Sequence, residues 1–114
     1  MQASQLFDLT GRIAIVTGAS RGIGEAIART LAANGAHVVV SSRRLEGCET
    51  VAASIREQGG LATALACNIS DLAAIDALFQ TVDERFGGLD ILINNAGTNT
   101  LFGHVTDTDP AAFQ

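Results

Sequence analysis

Apolar positions along the 114 residues alternate between short, nearly continuous runs and longer stretches where they recur every three to four positions. Arg12 to Thr17 (Arg-Ile-Ala-Ile-Val-Thr) reads as a strand covered on both faces. Ile23, Ala26, Ile27 and Leu31, with Thr30 as a spacer, then lie at helical spacing, and Asn34-Gly35 predicts a left-handed cap that ends the helix. Ala36 to Ser41, centred on Val38-Val39-Val40, is expected to be a second strand. Leu45, Cys48, Val51, Ala52 and Ile55 mark one face of a second helix stopped by Gly59-Gly60; Gly47 weakens its start by about 1 kcal/mol relative to Ala. Leu61 to Cys67 is a third strand, rich in Ala and poor in β-branched residues. Leu72, Ile75, Leu78, Phe79, Val82 and Phe86 form the clearest stripe, with Ser70 or Asp71 as N-cap and Gly87-Gly88 as the stop. Leu89 to Ile93 is expected to be the fourth strand, and Asp109-Pro110 the start of a further helix.

Strands separated by helices of this length need right-handed crossovers and a parallel sheet, which places residues 1–114 in one α/β domain, or part of one. The 47% apolar content suits a globular domain, and a net charge of -5 argues against a nucleic-acid surface or a polybasic membrane anchor. All seven basic residues are Arg, and Lys, Tyr and Trp are absent. That excludes a Schiff-base or P-loop lysine and a tyrosine general acid among these residues. Cys48 and Cys67 form no CxxC pair and read as packed, reduced thiols. His37 and His104 lack HExxH or HxxxH partners, so no metal site is expected. Residues 1–5 lack a basic region leading into an apolar one, and no run reaches transmembrane length, so a cytoplasmic setting is expected.

The candidate chemistry lies between the first strand and first helix, in Thr17-Gly18-Ala19-Ser20-Arg21-Gly22-Ile23-Gly24. Glycines at this spacing allow a tight turn off the strand, close backbone approach to a pyrophosphate, and close helix–sheet contact. The helix behind them offers unpaired N–H groups and partial positive charge to that anion. At the end of the second strand, where an NAD site usually places a carboxylate against the ribose, stands Ser41-Ser42-Arg43-Arg44. An arginine there favours a 2′-phosphate, which points to NADP(H) over NAD(H), with Arg21 able to approach the same phosphate. In a sheet ordered 3-2-1-4 the fourth strand delivers Asn94-Asn95-Ala96-Gly97 beside the first, where the strand order reverses and ligands settle. On the residues alone this last segment is a turn whose amides can tie neighbouring strands together.

The glycine loop followed by Asn94-Asn95-Ala96-Gly97 resembles the amino-terminal half of a short-chain dehydrogenase/reductase, over essentially the whole chain from Leu9 onward. The resemblance implies an incomplete Rossmann-type doubly wound parallel sheet. It implies that Gly18, Ser20, Arg21, Gly22, Ile23 and Gly24 embrace the cofactor pyrophosphate, and that Ser42 and Arg43 meet the adenosine 2′-phosphate. Asn68 and Ile69 would flank the adenine; many relatives carry Asp at the first position, and an amide oxygen still accepts from the adenine amino group. Asn95, Ala96 and Gly97 would lie beside the ribose and nicotinamide. The implied reaction is hydride transfer between NADP(H) and a small carbonyl or alcohol substrate, by a complete enzyme that is a homo-oligomer. The family's catalytic Ser and Tyr-x-x-x-Lys pair are not carried over, since Tyr and Lys are absent, so this chain alone is expected to be inactive. With only four strands it is further expected to be marginally stable or self-associating. Two alternatives are a non-catalytic NADP(H)-binding or interaction module and a methyltransferase. The second would want an acid where Arg43 stands.

Overall fold

The computed structural model describes residues 8–95. Four strands and three helices alternate in it: β1 (Ile13–Val16), α1 (Gly22–Ala33), β2 (His37–Ser42), α2 (Leu45–Glu57), β3 (Leu61–Ala66), α3 (Leu72–Phe86) and β4 (Ile91–Ile93). All pairings are parallel, in the expected order β3-β2-β1-β4. Ala14 to Val16 and Val38 to Val40 are fully buried, as strands covered on both faces should be. The Asp109-Pro110 helix start lies outside the described residues.

Alternation along the strands separates two cores. Val16, Val38, Val40 and Ala62 face α1 and α2, where Ala28, Ala32, Cys48, Val51 and Ile55 meet them. Ile15 and Val39 face α3, against Leu78 and Val82. Helices on both faces make the sheet doubly wound. The Ala-rich β3 forms because Ala62 and Ala64 leave room for α2 to lie close, while Leu65 supplies the bulk on the opposite face.

Several boundaries and faces differ from the sequence expectation. The buried line of α1 is Gly24, Ala28 and Ala32, with Ile27 and Leu31 only partly covered and Ile23 72% exposed. Small residues four apart let the helix axis approach the sheet, a demand that apolar periodicity does not reveal. The left-handed turn expected at Asn34-Gly35 is present, and it falls on Gly35 (φ 102), with Asn34 at φ -96. β4 starts at Ile91 rather than Leu89, because Asp90 is held by Ile13 instead of extending the ladder. Ile13 N–H donates to Asp90 Oδ2 at 2.8 Å, and Asp90 N–H donates to Ile13 O at 2.9 Å.

Of the two candidate caps for α3, Asp71 is the one used: its carboxylate accepts from Ala73 N (3.0 Å) and Ala74 N (3.4 Å). Gly87 (φ 80) ends the helix as a left-handed cap. Replacing Asp71 by Ala is expected to lower stability by about 1 kcal/mol, read from urea denaturation. At the amino end of the sheet, His37 Nε2 pairs with Thr63 Oγ1 at 2.8 Å and its ring lies 4.5 Å from that of Phe86. Burial, reinforced by the Arg85 guanidinium, holds the His37 pKa below its ordinary 6.5. The unfolded chain therefore takes up a proton that the folded chain resists, so stability present above pH 6.5 is lost as pH falls through that value toward the folded pKa. Denaturation midpoints are expected to drop over this window, and to drop less in His37→Gln.

Candidate functional site

Three backbone junctions meet at the carboxyl ends of the strands and enclose a cleft of about 1140 Å³. The first is the glycine loop. Gly18 (φ 61) and Gly22 (φ 62) take the left-handed conformation that turns the chain from β1 into α1. Gly24 serves another purpose: a Cβ there would stand 2.2 Å from Gly18 O and 2.6 Å from Asn95 Nδ2. Only a residue without a side chain lets the first turn of α1 pass so close to the loop. Ala19 N–H donates to Ser41 O at 3.0 Å, which ties the loop to β2.

The second junction joins β1 to β4. Thr17 Oγ1 donates toward Asn94 Oδ1 at 3.1 Å and accepts from Asn95 N–H at 2.9 Å, and Asn95 Nδ2 reaches Gly18 O at 3.5 Å. The amides thus tie neighbouring strands, and Asn95 is brought to the loop. The third junction is formed by the ends of β2 and β3, linked by Cys67 N–H to Ser42 O at 2.8 Å. Asn68 folds the next turn: its Oδ1 accepts from Ser70 N–H at 3.0 Å and its carbonyl accepts from Asp71 N–H at 3.0 Å. One Oδ1 lone pair is committed to that turn, and the second remains for a ligand.

Of the candidate site residues, Gly18, Ser20, Arg21, Gly22, Ser42, Arg43, Asn68, Ile69 and Asn95 line the cleft. Gly24 supports the loop from below, and Ile23 is exposed without lining the cleft. Ala96 and Gly97 lie outside the described residues. Arg44, from the Ser41-Ser42-Arg43-Arg44 segment, completes the lining with Glu46, Gly47, Cys67 and Ser70, and the last four were not singled out for the site from sequence. For Gly47 a signal existed, because a glycine early in a helix asks for a steric reason. Burial, and secondarily the Asp71 charge, pushes the Cys67 thiol pKa up, so it stays protonated and acts as wall.

The electrostatics of the cleft favour an anion. Among the described residues the ion pairs join Arg12 to Asp90, Arg29 to Glu25 and Arg56 to Glu49, so the guanidinium groups of Arg21, Arg43 and Arg44 have no acidic partner. Glu46 is the opposing carboxylate in the lining. Helices α1 and α2 both begin at the cleft, with Arg21 and Arg44 as N-caps that make no side-chain capping bond, whereas α3 is capped by Asp71. Uncapped helix starts beside guanidinium groups without a carboxylate partner among the described residues make this part of the cleft electropositive.

Comparison with known proteins agrees with this geometry. The family model described as short chain dehydrogenase matches residues 12–114. A fatty acyl-CoA reductase of Mycobacterium tuberculosis is 48% identical over 95 residues, covering 83% of this chain and 32% of that protein. Nodulation protein G of a Rhizobium species is 46% identical over 106 residues, covering 91% of this chain and 42% of that protein. A hydroxysteroid dehydrogenase from Escherichia coli superposes with a TM-score of 0.80 at 38% identity, over 95% of this chain and 45% of that one. A metagenomic short-chain oxidoreductase solved in complex with NADP gives a TM-score of 0.77 at 43% identity, over 92% and 48%. The chain thus spans less than half the length of each of these proteins. With sheet order, glycine loop and sequence match in agreement, the chain belongs to the short-chain dehydrogenase family.

Proposed function

We propose that this chain is the NADP(H)-binding half of an oxidoreductase that moves hydride between the cofactor and a carbonyl or alcohol substrate. The observation that carries the reading is the pair of arginines after β2, exposed in the cleft and without acidic partners among the described residues, where a carboxylate would mark an NAD site. In this reading Gly18, Ser20, Arg21 and Gly22 hold the pyrophosphate at the uncapped start of α1. Arg43, with Arg21, receives the 2′-phosphate, at the turn that Ser42 begins; Asn68 and Ile69 border the adenine; Asn95, followed by Ala96 and Gly97, borders the ribose. When bound, the nicotinamide supplies or accepts the hydride. The lining residues orient the dinucleotide and exclude water from its phosphates.

Three guanidinium groups against the single Glu46 carboxylate leave the lining net cationic in a chain whose net charge is -5. That contrast supports a ligand of concentrated negative charge. The NADP bound to the metagenomic relative supports the same cofactor class. The free, buried thiols of Cys48 and Cys67 suit a reducing compartment, and the cytoplasm is the proposed location. No described helix is long and apolar enough to cross a membrane.

Calorimetric titration of the chain with NADPH and NADH tests the cofactor assignment. NADPH is expected to bind more tightly, and Arg43→Asp to weaken it by about 1.5–3 kcal/mol, the range of hydrogen bonds to charged groups. A preference for NADH in the wild type, or an NADPH affinity indifferent to Arg43→Asp, would remove the assignment.

A further inference from the structure

The first turn of α2 touches both cationic arms of the cleft through two consecutive residues. On one side, Gly47 faces the glycine loop: a Cβ there would lie 3.1 Å from Ser20 Cβ and 3.7 Å from Ser20 Oγ. On the other, Cys48, fully buried in the α1–α2 core, places its Sγ 3.0 Å from Ser42 Oγ. Ser42 Oγ in turn lies 3.2 Å from Arg44 O. A hydroxyl carries one proton; with it directed to the Arg44 carbonyl, the thiol is the donor to Ser42. The result is a short relay from core thiol to hydroxyl to carbonyl that closes the Ser42-Arg43-Arg44 turn on itself and moors it to the core.

We propose that Gly47 and Cys48 are positioning residues that set the selectivity of this site between a 2′-phosphorylated dinucleotide and its unphosphorylated counterpart. The inference rests on the reading that NADP(H) occupies the cleft. A glycine in the first turn of a helix costs about 1 kcal/mol relative to Ala, and contact with Ser20 is the reason this position keeps it. Gly47 fixes how near the Ser20-Arg21 loop stands to α2, and Cys48 fixes where the Arg43-Arg44 turn leaves β2. Together they set the gap into which a phosphate must fit between guanidinium groups. Charged hydrogen bonds need donor–acceptor distances near 2.7–2.9 Å, so a displacement of about half an ångström on either arm weakens them steeply. NADH shares every other group of NADPH. The ratio of the two affinities therefore reports on this gap, while a general loss of fold weakens both together.

The test is titration of the chain and its variants with NADPH and with NADH, alongside thermal unfolding. Cys48→Ala is expected to lower the NADPH-over-NADH preference about fivefold or more, and Cys48→Ser, which retains a donor, to restore it to within about twofold. Gly47→Val is expected to lower the preference about tenfold by pushing the loop at Ser20. Should Gly47→Val fail to fold, Gly47→Ala is read in its place, with the preference falling although its Tm does not. An unchanged preference in a folded variant at either position, or a Cys48→Ser variant that behaves like Cys48→Ala, overturns the proposal. A wild type with no preference for NADPH overturns the cofactor reading itself, an outcome separate from the failure of these two residues.

Discussion

The site depends on one close approach: the first turn of α1 against the carbonyl of Gly18 and the amide of Asn95. Gly24 makes that contact possible, and Ala28 and Ala32 continue it down the helix as a line of small residues against the sheet. A helix seated this near the sheet brings its unpaired first-turn N–H groups up to the loop at the carboxyl end of β1. A bulkier line would hold the axis farther out and aim those dipoles over the cleft rather than into it. The exposed Ile23 belongs to the same arrangement, since it occupies the turn of α1 that faces away from the core.

Electrostatics then sort the helix ends. The one helix among the described residues with a side-chain cap is α3, where Asp71 satisfies the first amides. The two that open onto the cleft begin after arginines and lack such caps. A surplus of acid over the whole sequence coexists with a cationic lining because the other described arginines, apart from Arg85 over the Phe86 ring, are paired with carboxylates on the surface. Local pairing therefore matters more than net charge in deciding what this cleft can hold.

Much of the fold was legible in the sequence because valine-rich runs and helical stripes report burial directly. β1, β2 and the stripe of α3 were readable on that basis, and the glycine loop located the cleft. What was not legible came from contacts between distant residues. The strand character of Leu89 and Asp90 was lost to a side-chain bond with Ile13, 77 positions away. The inner face of α1 was misread because small residues carry little hydrophobic signal however deeply they are buried. Gly47 showed only its local cost in the sequence; its gain lies in contact with Ser20, which no local pattern contains.

The placement of β2 has a consequence for binding. This strand is hydrogen-bonded on both sides, to β1 and along six residues to β3, and its end carries the arginine pair. The backbone origin of those side chains is therefore preorganised before any ligand arrives. What remains to be immobilised is rotamer freedom, up to about 2 kcal/mol for each arginine side chain. Affinity at this end is limited by the entropy of two flexible stems rather than by deformation of the scaffold, a division in which a rigid platform carries adaptable charge.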